Sequence, residues 1–205
     1  MVVSILKILV SLSAFAFAVW FPIGLYLFWE KRNTSQQQIW RKKPAAVAYQ
    51  RFGVGSLHQF DWYLGRQSTV SVKSIPEICE WLLDCKFIHD QALFAHPDMW
   101  QHPVDFEISR QGDCEDHALW AWRKCHDLGV EAEFVVGKML LGNGNWGDHT
   151  WVVLKDRKGS YTLETTAKKL ELFHVMPVQA RSHYRPYYGM DTKLHSFVYQ
   201  RSVKP

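Results

Sequence analysis

The chain has 205 residues, enough for one domain of ordinary size with additional segments. Lysine and arginine outnumber aspartate and glutamate by 24 to 20, a net charge of +4, and so small and dispersed an excess gives no footing for nucleic acid as a partner. None of the four cysteines (Cys79, Cys85, Cys114 and Cys125) forms a CxxC pair, which excludes zinc-ribbon and thioredoxin-like arrangements.

Residues 5–29 are almost wholly apolar, with Lys7 the one charge, and Glu30-Lys31-Arg32 ends the run abruptly. A run of roughly 25 such residues suffices to cross a bilayer, and Trp20 and Trp29 suit the membrane interface. A cleaved signal peptide is the rival reading, because Ala14-Phe15-Ala16 and Ala16-Phe17-Ala18 resemble processing sites. The apolar run continues well beyond them, which favours an uncleaved anchor. The sequence therefore predicts a single-pass transmembrane anchor over 1–32, with the membrane as a partner. Lys31, Arg32, Arg41, Lys42 and Lys43 follow the span, so the positive-inside rule places the remaining chain on the cytoplasmic side. A short anchor feeding an exported enzyme would place it on the other.

Residues 33–73 read as a juxtamembrane linker leading into the domain, with a short helix over 39–50 interrupted at Pro44 and turns at Gly53, Gly55 and Gly65. A catalytic domain is expected over 74–205. Ser74 and Glu77 form a capping box for a helix running to His89 or Phe94, with Ile78, Leu82 and Phe87 in its apolar stripe. Cys79 and Cys85, six apart on that helix, point to different sides and read as buried free thiols. Residues 95–111, punctuated by Pro97 and Pro103, read as an extended connector. Asp113 then caps a helix from Cys114, with Asp116 three residues on as a second structural acid and Gly129 as the C-terminal stop. Strands follow over 131–141, 149–154 and 161–165, separated by the turn signals Gly142-Asn143-Gly144-Asn145 and 156–159. The aromatic tail 174–205 supplies a further strand or two. A helix followed by an antiparallel meander predicts an α+β domain.

The chemistry concentrates in Gly112-Asp113-Cys114-Glu115-Asp116-His117-Ala118. A cysteine attacks a carbonyl as the thiolate, and a helix N-terminus or a neighbouring histidine favours that form. The same helix start offers unpaired N–H groups to an oxyanion. His149 opens one strand and Glu164 lies in the next, so adjacent antiparallel strands can bring base and carboxylate together. Zinc hydrolysis is the competing chemistry. His89, His96, His102, His117 and His149 are numerous, but no HExxH or other compact ligand set occurs.

The string at 112–118, followed by a helix ending near Leu128-Gly129, then His149-Thr150-Trp151-Val152 and Leu163-Glu164, resembles the transglutaminase-like superfamily, closest to its bacterial cysteine proteinases. The resemblance spans roughly residues 95–170. It implies a papain-like core, Cys114 as nucleophile, His149 as base and then acid, and Glu164 in a position that is usually Asp. Asp98, Trp100 and Pro103 match the segment before the nucleophile, so Trp100 is expected to wall the cleft and Gln111 is a candidate oxyanion donor. Some relatives bind calcium through acids of this string, and Asp113 and Glu115 match those positions. No cofactor is required for the chemistry. The implied activity is a thiol peptidase or amidase acting on a protein or peptide substrate. Transglutaminase-type acyl transfer, deamidation of glutamine and a non-catalytic binding module stay open as alternatives.

Overall fold

The structure is a computed structural model that describes residues 40–157, 159–168, 176–177 and 183–201. The transmembrane anchor expected over 1–32 lies outside these residues. Among the described residues no helix is long and apolar enough to cross a membrane. The longest, Cys114–Asp127, has 14 residues and carries Glu115, Asp116, Arg123 and Lys124, against roughly 20 apolar residues for a span. The fold is accordingly corrected to an α+β core with no membrane-spanning helix among the described residues, and the membrane partnership and the single-pass, cytoplasm-facing location are withdrawn.

One helix organises the core. Helix α4 (Cys114–Asp127) follows α1 (Ile75–Leu83), α2 (Asp90–Leu93) and α3 (Pro103–Ser109). Its Ala118, Leu119, Trp120, Ala121, Trp122 and Cys125 are fully buried. Such a helix must also satisfy its buried charges. Lys124 pairs with Glu107 of α3 at 2.8 Å, and Arg123 donates to the carbonyls of Tyr63 and Arg66. The helix ends where Gly129, at φ +69°, sends its N–H to the His126 carbonyl while Val130 N–H reaches Cys125. This Schellman closure needs the left-handed residue that glycine supplies.

Helix α4 packs on an antiparallel sheet ordered β1-β9-β8-β4-β5-β6-β7. The strands are β1 (Trp40–Pro44), β4 (Ala132–Leu140), β5 (Trp146–Asp156), β6 (Gly159–Leu163), β7 (Met176–Pro177), β8 (Tyr184–Asp191) and β9 (Ser196–Arg201). Alternation along the strands turns Phe134, Val136, Val152 and Leu154 into the main core, and Val135, Trp151 and Val153 into a second cluster on the opposite face. A short parallel pair, β2 (Lys86–Phe87) with β3 (Gln111–Gly112), joins the end of α1 to the residues just before Cys114.

Several local expectations differ from the structure. Ser74 caps α1 by accepting from Glu77 N–H, but the helix stops at Leu83 instead of reaching His89. Residues 40–44 form a strand, not a helix, because they pair with β9 in a register from Trp40↔Arg201 to Pro44↔Phe197. The segment expected to be extended contains α3, in which Pro103 takes the first helical position, where its missing N–H costs nothing.

Candidate active site

Cys114 opens α4 and is partly exposed, whereas Cys79, Cys85 and Cys125 are buried. Burial pushes those three thiols up, to about 11, 12 and 12 respectively. Cys114 lies in a cleft of about 700 Å³ whose lining includes Trp100, Asp113, His149, Thr166 and Tyr188.

His149 and Glu164 arrive on β5 and immediately after β6. The pairing of Val152 with Leu163 leaves Glu164 one residue past the last pair, diagonal to His149 across the two strands. His149 Nε2 lies 3.0 Å from Glu164 Oε1 and 2.9 Å from Oε2, while the Cys114 thiol donates to Glu115 Oε2 at 3.4 Å. With Nε2 engaged by the carboxylate, Nδ1 is the nitrogen left for the thiol. Burial acts to lower the His149 pKa. The charge of Glu164, the neighbouring Cys114 and the hydrogen bond to Glu164 outweigh it and hold the imidazole at about 10. Burial acts to raise Glu164, but the facing imidazolium and hydrogen bonds from His149, Tyr184 and Thr166 take it down to about 2.

The acids of the string behave differently. Asp113 occupies the N-cap position, yet its side chain makes no capping hydrogen bond and its Oδ1 is buried without a partner. Asp116 accepts from Gln101 N–H at 2.8 Å and from Gln101 Nε2 at 2.6 Å. Gly112 makes room for it, since a Cβ there would collide with Asp116 Oδ2 and lie 2.8 Å from Asp116 Cβ and Cγ. Burial first, then the charges of Asp113 and Asp90, raise Asp116 to about 8. Burial and its neighbours Asp113 and Cys114 push Glu115 well above the carboxylate range. Asp90, Asp98, Asp113, Glu115 and Asp116 supply the overlapping groups whose oxygens approach within 4.8 Å of one another. Asp90 is 1% exposed, and its Oδ1 also lacks a partner. A hard cation with oxygen ligands fits this donor set.

Trp100 lines the cleft, its Nε1 donating to Asp98 at 3.0 Å, and Asp98 accepts from Gly55 N–H at 2.7 Å. Gln111 stands in β3 and is not among the residues lining the cleft. His117 donates from Nδ1 to the Asp113 carbonyl at 2.6 Å while its Nε2 accepts from Lys168 Nζ at 3.3 Å. Burial, reinforced by Lys168, lowers His117 to about 4, so it is the neutral tautomer that braces the turn before Cys114. Tyr184, Thr166 and Asp90 went unseen in the sequence. Thr166 had a weak local signal, two residues after Glu164, whereas Tyr184 and Asp90 reach the site through tertiary pairing alone.

No protein-family model matches the chain, and no curated protein matches it. Among solved structures, the chain is similar to calcium-bound Legionella pneumophila LapG, at 18% identity and a TM-score of 0.45 over 64% of this chain and 71% of that one. EGTA-treated Legionella pneumophila LapG aligns over 72% of this chain and 83% of that one, at 16% identity and a TM-score of 0.45. The Gly112-Asp113-Cys114 turn opens the buried helix, and His149 and Glu164 follow in chain order from the antiparallel sheet on which that helix packs, so the described core is an α+β fold.

Proposed function

We propose that the chain is a thiol-dependent peptidase or amidase that cleaves protein amide bonds through Cys114, His149 and Glu164. One observation carries the reading: His149, paired with Glu164 at 2.9 Å, lines the same cleft as the partly exposed Cys114. A charged imidazole beside Sγ attracts the thiolate form. The thiolate attacks the amide carbonyl, and the resulting oxyanion meets the unpaired N–H groups at the start of α4. Collapse of this intermediate breaks the C–N bond as His149 Nδ1–H gives its proton to the departing amine, leaving a thioester on Cys114. His149 then takes a proton from water, whose oxygen attacks the thioester. The acid product leaves and the thiol is restored. Trp100 supplies an apolar wall for the substrate chain.

Asp90, Asp98, Asp113 and Glu115 are the residues that would hold a calcium ion. Bound calcium supplies positive charge that offsets the repulsion among these carboxylates. The chain's own acids then tie the turn before the nucleophile to the 90–98 segment.

The test is alkylation of the full chain with an electrophilic thiol probe across a pH series. Cys114 is expected to label near neutral pH, with labelling lost in Cys114→Ala and suppressed in His149→Ala. Equal labelling of Cys79, Cys85 and Cys125 would sink the assignment. A peptide substrate offered with a labelled amine then separates the outcomes, since incorporation of the amine in place of water would favour acyl transfer.

A further inference from the structure

We propose that Tyr184 is a positioning residue for the acid arm of this site, its hydroxyl clamping Glu164 so that the carboxylate holds His149 towards Cys114. The inference rests on the catalytic reading of Cys114, His149 and Glu164. A glutamate has one more rotatable bond than the aspartate usual at this position, and so more ways to miss the imidazole. Here those ways are closed from two sides. Thr166 donates to Oε1 from its hydroxyl at 2.8 Å and from its N–H at 3.2 Å. Tyr184 donates to Oε2 at 2.7 Å. Each carboxylate oxygen therefore accepts from His149 and from a second, fixed donor.

An irregularity in the sheet explains how Tyr184 gets there. Strand β8 pairs with β4 so that Val136 faces Tyr188 but Gly137 faces Pro186. Tyr187 is thus an extra residue, and a β-bulge of this kind reverses the alternation of side chains beyond it. Tyr188 consequently packs against the main core, while Tyr184 packs with Trp151 on the other face. In an unbroken strand, two residues four apart would share a face. Gly137 permits the bulge, since a Cβ there would collide with the Arg185 carbonyl and lie 2.9 Å from Pro186 Cα and from the Trp151 ring. The Tyr184 ring meets Trp151 edge-on at 5.0 Å, and Trp151 lies nearly parallel to His149 at 6.1 Å. The phenol is braced by the aromatic neighbour that also flanks the imidazole.

The experiment uses the full chain and separates this inference from the reading beneath it. Alkylation of Cys114 that proves independent of His149 would overturn both. With that dependence established, Tyr184→Phe keeps the ring and removes the hydroxyl. Alkylation of Cys114 at pH 7 is expected to slow roughly tenfold, and the ¹⁵N resonances of His149 to shift and broaden as the ring gains a second orientation. An unchanged rate with unchanged His149 resonances would overturn the role of Tyr184 and leave the catalytic reading standing. Should the Phe variant fail to fold, proton NMR of the unsubstituted chain decides. A slowly exchanging Tyr184 hydroxyl proton close to His149 Nε2–H is expected, and a rapidly exchanging one overturns the proposal.

Discussion

On one side of Cys114, His149 and Glu164 face each other at 2.9 Å, with Tyr184 and Thr166 satisfying the carboxylate. On the other side, Asp90, Asp98, Asp113, Glu115 and Asp116 crowd together with hydrogen-bond donors for some of their oxygens and none for Asp90 Oδ1 or Asp113 Oδ1. Both groups are acidic and both are substantially buried. The first meets a cation of its own and stays ionised. The second meets more negative charge, and Glu115 and Asp116 are driven towards the protonated form. What separates the ionised pair from the protonation-prone cluster is thus the partner, not the depth of burial.

The comparison can be broken most severely by making the first group resemble the second. His149→Ala removes the proposed base and leaves Glu164 buried without its cation, so turnover should fall about 10³-fold or more. Stability should drop by about 3 kcal/mol, in line with the loss of one partner of a buried pair, and urea denaturation measures it. A variant as stable as the unsubstituted chain would show that Glu164 finds enough relief elsewhere.

The reverse manipulation is to give the second group a cation. Added calcium should stabilise the chain by about 2.7 kcal/mol at a hundred times its dissociation constant, read as a rise in Tm. Paired substitution of Asp113→Asn and Glu115→Gln should abolish that rise. A Tm equally responsive in the paired variant would place the cation elsewhere.

The smallest effect sharpens the first group alone. Glu164 binds its proton more weakly in the folded chain, at about 2 against an ordinary 4.5. Its contribution is complete above about 4.5 and lost as pH falls through about 2. His149 is raised from 6.5 to about 10, so its contribution is complete below 6.5 and lost as pH rises through about 10. The same ion pair is seen from both ends, and the window of full effect is pH 4.5 to 6.5. The Tm difference between Glu164→Gln and the unsubstituted chain should be constant there and shrink on acidification. A difference that persists at pH 2 would mean the glutamate matters for shape and not for charge.

Legibility in the sequence tracked how local the cause was. The Cys114 helix start, the Gly129 stop and the turn at Gly142–Asn145 follow from neighbours in the chain, and each could be read. The Gly112 requirement was half legible. A glycine beside the string signals tight backbone, but only the structure shows that Asp116 fills the space. Strand β1 could not be read, because its reason for being extended lies in β9. In the sequence Pro103 reads as punctuation, whereas in the structure it stands at the first helical position of α3. Tyr184 was hidden for a deeper reason. Its face depends on a one-residue shift against β4, and strand periodicity assumes no such shift.

The pairing of Trp40 with Arg201 carries a consequence for how the chain is made. The first described strand finds its partner in the last, so during synthesis β1 must wait, with its backbone donors and acceptors unpaired, until β9 has emerged. Helix α4 and the β4–β5 hairpin, by contrast, are local and can assemble while the chain is still growing. Closure of the sheet's edge is therefore expected to be a late, slow event in folding, and the exposed period of β1 is when an errant strand from another molecule could take the place of β9.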